Sequence, residues 1–202
     1  MEQYRDAIKA YNSAWEITQS RELVVKRFNA LREVDAKEDA YELIQPWLNE
    51  HPDDGYVHTI LAAAYEADGQ DQKAILHYEK VLEKEPDNIT VLNNLAWVYN
   101  KQNDDRAIDL AERAYRQNPE SPAILDTYGW VLLQQGETEK ALGILQQAAK
   151  ALPDVAEVQY HKAVAVYRSG DKAAALSELK ALLDSGVAFE GREDARAIVE
   201  SN

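Results

Sequence analysis

The sequence predicts an all-α fold: a right-handed α-solenoid of about five and a half helical hairpins, closed at its C-terminal end by a capping helix. Three periodic features predict it. Four of the six prolines, Pro52, Pro86, Pro119 and Pro153, fall 34, 33 and 34 residues apart. Six alanines, Ala7, Ala40, Ala74, Ala107, Ala141 and Ala175, recur at 33, 34, 33, 34 and 34. Asp35, Gly69, Asn103, Gly136 and Gly170 sit at the turn of each unit, and these residue types tolerate the left-handed backbone that ends a helix.

The elements follow in order. Residues 3–20 match only the second half of a unit, with a helix over 3–18 carrying Ala7, Tyr11 and Ala14. Full units span 21–54, 55–88, 89–121, 122–155 and 156–185. Each proline leads into Asp53-Asp54, Asp87-Asn88, Glu120-Ser121 or Asp154-Val155. Asp, Asn and Ser accept hydrogen bonds from the free N–H groups of a first helical turn, whereas Val155 cannot. Pro122 suits a first helical position. Leu61, Ala62 and Tyr65, then Ala74, Ile75, Tyr78, Val81 and Leu82, show the i, i+3, i+4, i+7 spacing of two amphipathic helices. Small residues recur in the first helix at Ala62, Ala96, Gly129 and Ala163 and are expected to face the recurring alanine of the second. The third unit is one residue short, and the missing residue is assigned to the turn at Asn103-Asp104-Asp105.

The two ends differ. Leu179, Leu182 and Leu183 close the last long helix, Ser185-Gly186 end it, and Val187-Ala188-Phe189 run irregularly. A further helix is expected from Arg192 to Ser201, with Ala195, Ile198 and Val199 inward and Glu193, Asp194, Arg196 and Glu200 outward. Such a polar outer face caps a solenoid, and Phe189 is expected to plug the last groove. At the start, Tyr4, Ile8, Tyr11 and Trp15 would leave apolar surface uncovered. That implies a piece of a longer array or, alternatively, self-association through the half repeat.

Charge and composition narrow the function. The net charge of −14 opposes general binding to nucleic acid or anionic membrane. No apolar run reaches the roughly 20 residues of a membrane span. With no cysteine, thiolate chemistry and cysteine metal sites are excluded. His51, His58, His77 and His161 have no metal-ligand spacing, and Gly129 and Gly136 form no phosphate loop. Glu79, Glu83, Glu85 and Asp104-Asp105 read as solvated helix faces and a turn. These features point to a non-enzyme without a metal or cofactor. The negative charge either keeps a long surface soluble or steers a basic partner.

The 34-residue helix–turn–helix unit resembles the tetratricopeptide repeat. The fourth unit carries the pattern as Leu125, Tyr128-Gly129, Leu132, Gly136, Ala141, Leu145, Ala148 and Pro153. The first unit departs from it: Phe28 fills the small-residue place, Trp47 the later alanine place, and Pro46 inside the second helix predicts a bend and an irregular hairpin. The resemblance implies one superhelical domain over 1–202 and a protein or peptide partner held in a concave groove lined by the first helices.

In units three to five the inward places bring Asn93, Asn94, Trp97, Asn100, Asp126, Trp130, Tyr160, His161, Tyr167 and Arg168 to that groove. Aromatic faces flanked by amides suit a peptide or a sugar; the same stripe also suits tryptophans packed between helices. A clamp for acidic C-terminal tails begins with Lys26 and Asn29 but fails at Thr59, Ile60 and Ala63.

A narrower resemblance rests on Trp47-Leu48-Asn49-Glu50-His51-Pro52, Leu92-Asn93-Asn94-Leu95-Ala96-Trp97, Ala111-Glu112-Arg113-Ala114-Tyr115, Leu125-Asp126-Thr127-Tyr128-Gly129-Trp130 and Tyr160-His161-Lys162-Ala163. This order is similar to the C-terminal region of the TPR-repeat lipoprotein of the bacterial PEP-CTERM/exosortase system. It implies a scaffold in exopolysaccharide production or protein sorting, on the periplasmic side of the envelope. The lipid-bearing cysteine of that family is absent here. The alternatives are a glycan-binding groove and a regulatory domain of a longer, otherwise cytoplasmic, protein.

Overall fold

The computed structural model describes residues 2–201. Among them the chain forms twelve helices and no strand: α1 Glu2–Trp15, α2 Arg21–Arg32, α3 Lys37–Glu50, α4 Gly55–Ala67, α5 Asp71–Lys84, α6 Ile89–Lys101, α7 Arg106–Gln117, α8 Pro122–Gln134, α9 Thr138–Ala151, α10 Ala156–Arg168, α11 Lys172–Asp184 and α12 Arg192–Glu200. All five turn residues take positive φ: Asp35 62°, Gly69 69°, Asn103 54°, Gly136 84° and Gly170 105°. The helices divide into two compact units that meet in sequence at Pro86 and Asp87.

In the first unit α2 packs against α3, α4 against α5, and α2 also touches α4. Ser20 and Asp54 cap α2 and α4 through Leu23 N–H and Val57 N–H. The half repeat α1 lies on α2, and Trp15 meets Trp47 edge to face with centroids 6.3 Å apart. Trp47 also donates from Nε1 to Asp54 Oδ2 at 2.9 Å. This accounts for the bulk at Trp47, which supports the stray helix and ties down the next turn. Ile8, Tyr11 and Trp15 are half-buried and Tyr4 is exposed.

In this unit α3 continues through Pro46 from Lys37 to Glu50. Pro46 and Glu42 both face solvent. The Glu42 carbonyl that loses its helical donor is therefore free to bond water, which lowers the usual penalty for a proline inside a helix. Phe28, in the small-residue place, is fully buried and meets Tyr41 edge to face at 5.8 Å.

In the second unit the first helices α6, α8 and α10 lie side by side, with α7, α9 and α11 behind them. Leu92, Leu95, Leu125, Leu132, Leu145 and Leu179 form the buried layer between the two rows. Asn88 caps α6 through Val91 N–H at 3.2 Å. Ser121 makes no side-chain cap, contrary to expectation. Pro122 at the first turn has no N–H to offer and already fixes a helical φ. Val155 caps nothing, as its side chain requires.

The residue missing from the third unit falls between Asn103 and Ala107 and shows as a late start of α7, which is 12 residues long where α5 and α9 have 14. Asp104 holds this late start by accepting from Arg106 N–H at 2.9 Å. At Gly129 the nearest neighbours of an added Cβ are Leu145 Cγ at 2.7 Å, Leu145 Cδ2 at 2.9 Å and Ile144 Cγ2 at 3.2 Å, so the small residue admits the branched side chains of α9.

The C-terminal segment ends as expected, with Ala195 fully buried and Glu193, Asp194, Arg196 and Glu200 exposed on α12.

Candidate functional site

A cleft of about 570 Å³ opens on the second unit where α6, α8 and α10 meet the exit segment. Its floor is aromatic because the inward places of these three helices stack. Trp130 lies on His161 with centroids 4.1 Å apart and planes 23° from parallel. Trp97 is 5.7 Å from the same ring, Tyr160 is 5.8 Å from Trp130, and Phe189 is 5.5 Å from Tyr160.

His161 is the hub. It is buried, and its Nδ1 lies 2.9 Å from Asp126 Oδ1. A carboxylate only accepts, so Nδ1–H donates and fixes the tautomer and the tilt of the ring. Both tryptophans are half-buried. They are packed and exposed at once: each leans on the imidazole and keeps part of its surface in the cleft.

Tyr160 is also buried, and the loss of hydration together with the nearby Asp194 charge pushes its phenol up to about 12. It therefore keeps its proton and acts as a neutral wall. Gly191 seals this wall. It has φ +85°, and a Cβ there would fall 2.3 Å from Tyr160 Cε1.

Of the ten residues expected from sequence, the cleft gathers Trp97, Asn100, Trp130, Tyr160 and His161, with Asp126 behind the imidazole. The other four sit elsewhere. Asn93 donates to Asn94 at 3.4 Å within α6. Arg168 bonds the Leu133 carbonyl at 2.9 Å and Gln134 Oε1 at 3.3 Å, so it ties α10 to the end of α8. Lys172 lies over the Tyr167 ring at 5.2 Å. Phe189 packs on Tyr160 and forms one wall of the cleft.

Sequence reasoning missed most of the rim: Asn103, Glu157, Glu190, Gly191, Glu193 and Asp194. The available signal was Phe189 followed two residues later by glycine, an aromatic anchor beside a backbone position suited to close approach.

The lining residues include no serine, threonine or cysteine, and among the described residues no group of histidines and carboxylates could hold a metal. The site offers stacking faces, amides and charge rather than a nucleophile.

Three family models described as tetratricopeptide repeat match residues 57–88, 77–108 and 105–165, and together they span more than half of the chain. The chain is a tetratricopeptide-repeat protein.

Solved structures agree on the fold. A tetratricopeptide repeat protein from Parabacteroides merdae superposes with TM-score 0.79 at 14% identity, covering 98% of this chain and 79% of its own. MamA from Desulfovibrio magneticus gives 0.68 at 17%, covering 81% and 93%. YrrB, described as a TPR protein with an unusual peptide-binding site, gives 0.67 at 20%, covering 88% and 93%. No curated protein sequence matches the tetratricopeptide-repeat chain.

Proposed function

We propose that the protein is a non-enzymatic scaffold that holds a segment of a partner protein in the cleft of its second unit. The observation that carries this reading is the aromatic floor, where Trp97, Trp130 and Tyr160 converge on His161 beneath a cleft of about 570 Å³. This is the size range of ligand pockets, and tryptophan and tyrosine anchors dominate binding energy at protein interfaces. The peptide-binding site named for YrrB, a relative in fold, adds support.

Geometry does the work: α6, α8 and α10 hold the rings at fixed spacing, so little ordering is paid on binding. In the Trp97→Ala/Trp130→Ala double variant, partner affinity should fall at least ~100-fold while far-UV helicity is kept. Unchanged binding would remove the cleft from the function.

The proposed cellular setting rests on the resemblance of the strings from Trp47 to Ala163 to the TPR-repeat lipoprotein of the PEP-CTERM/exosortase system. They support a place in a bacterial envelope assembly for exopolysaccharide or protein sorting. The genomic neighbours of the reading frame test it; neighbours unrelated to exopolysaccharide or sorting remove it. A glycan ligand is the second reading, favoured by the half-exposed tryptophans. Quenching of tryptophan fluorescence by neutral polysaccharide, in the absence of any peptide effect, would select it.

A further inference from the structure

The rim of the cleft is unevenly charged. Glu157, Glu190, Glu193 and Asp194 face it, against Lys101 and Arg192. Arg192 is already committed: its guanidinium donates to the Val187 carbonyl at 2.7 Å and to the Leu183 carbonyl at 2.9 Å, fastening the exit segment. Glu193 pairs with Arg196 at 3.0 Å. Glu157, Glu190 and Asp194 have no ion-pair partner among the described residues. Glu157 is half-buried beside the aromatic floor, where lost hydration and the Glu190 charge both disfavour its ionised form.

A surplus of unpaired carboxylates over aromatic faces has a definite complement. An aromatic ring attracts a cation over its face through its quadrupole, and a carboxylate at the rim adds a charge-assisted hydrogen bond. An anionic or carboxylate-terminated ligand meets the opposite: like charge on the rim and no free guanidinium to receive it.

We infer that the cleft takes the side chain of an arginine or lysine from a basic partner segment, seated against Trp97 and Trp130 with its charge held by Glu157 and Glu190. The inference deepens the peptide-scaffold reading and rests on it. The aromatic wall strips water from the flat side of the cation, and the two glutamates supply acceptors at its edge. The net charge of −14 then works in the same direction, since a negative surface raises the encounter rate of a positive segment.

The test is a selection from a randomised peptide display library on the full chain, run in parallel on the Trp97→Ala/Trp130→Ala variant. Peptides that need the tryptophans should carry arginine or lysine at a recurring position. Replacing that residue by citrulline or glutamine should weaken binding at least ~10-fold. Glu157→Gln/Glu190→Gln should weaken it by a similar factor, with thermal stability unchanged, and should reduce its sensitivity to salt.

Three outcomes overturn the inference, and they separate it from the reading beneath it. Tryptophan-dependent peptides without a cation leave the groove in place and sink the cation seat. Basic peptides that bind the glutamine variant equally well do the same. No tryptophan-dependent peptide at all sinks both.

Discussion

The two compact units build their first helices on one pattern and treat their carboxylates in opposite ways. In the first unit the charges close on one another. Asp68, 6% exposed at its side chain, receives Arg32 at 2.6 and 3.1 Å, Lys37 at 2.8 Å and the Tyr41 hydroxyl at 2.7 Å. These donors hold its carboxyl far below the usual carboxylate range, while burial and the bond to Asp68 keep the Tyr41 phenol protonated. In the second unit Glu157, Glu190 and Asp194 have no such donors and face an open cleft. One fold thus turns the same residue classes into a fastening in one place and a receptive surface in another. What differs is whether cations were supplied from the same chain.

Breaking the fastening should give the largest effect. Asp68→Ala removes the shared acceptor and leaves the Arg32 guanidinium, 18% exposed, beside a hydroxyl and an apolar stack. The loss should be about 3 kcal/mol, because a partly buried cation without its partner keeps its desolvation cost. Chemical denaturation followed by far-UV dichroism measures it. A loss below about 1 kcal/mol would show that water replaces the carboxylate and that the first unit is no more closed than the second.

How much of this contrast was legible beforehand follows from which features repeat. Asp35 and Asn103 could be read as turn residues because three glycines share their register, and each takes positive φ. The aromatic floor could be read because Trp97 and Trp130 hold equivalent places in neighbouring repeats. The Asp68 network could not, since Arg32, Tyr41 and Asp68 each occur once at their repeat positions and meet Lys37 only in three dimensions. The rim of the cleft was hidden for the same reason. Residues 187–194 lie outside the period, and acidic residues before a helix read as an ordinary solvated face. Periodicity exposes what every repeat must do, and single departures from it carry the chemistry.

The wall of the cleft offers a sharper probe of the second unit. Gly191→Ala places a methyl on a residue with φ +85° and 2.3 Å from the Tyr160 ring. Backbone strain and overlap together should cost about 2 kcal/mol. Because Tyr160 backs Trp130 and Phe189 in the wall of the cleft, peptide affinity should drop in the same variant. Unchanged affinity with reduced stability would show that Tyr160 supports the fold and does not shape the cleft.

The smallest expected effect returns to the first unit and concerns protons. His58 Nε2 lies 3.0 Å from the Pro52 carbonyl, which can only accept, so that nitrogen carries a hydrogen. In neutral His58 the Nδ1 is then an acceptor, and His77 donates to it from Nδ1 at 2.7 Å. His77 also stacks on Tyr65 at 5.5 Å. Burial first, then the neighbouring His58 and the Lys80 charge, push His77 down to about 4 from the ordinary 6.5. The unfolded chain therefore takes up a proton near pH 6.5 that the folded chain refuses until about pH 4. Stability is complete above pH 6.5 and falls as the pH drops through this window. The limiting slope for one proton is about 1.4 kcal/mol per pH unit; His77 is partly solvated, so the observed slope should be smaller. Asp68 does not interfere, because its contribution is lost only below the ordinary carboxylate pKa. His77→Gln keeps an amide donor for His58 and has no proton to gain. Between pH 7 and pH 5 its urea midpoint should fall less steeply than that of the wild type, and parallel slopes would show that the histidine pair opens to water before it titrates.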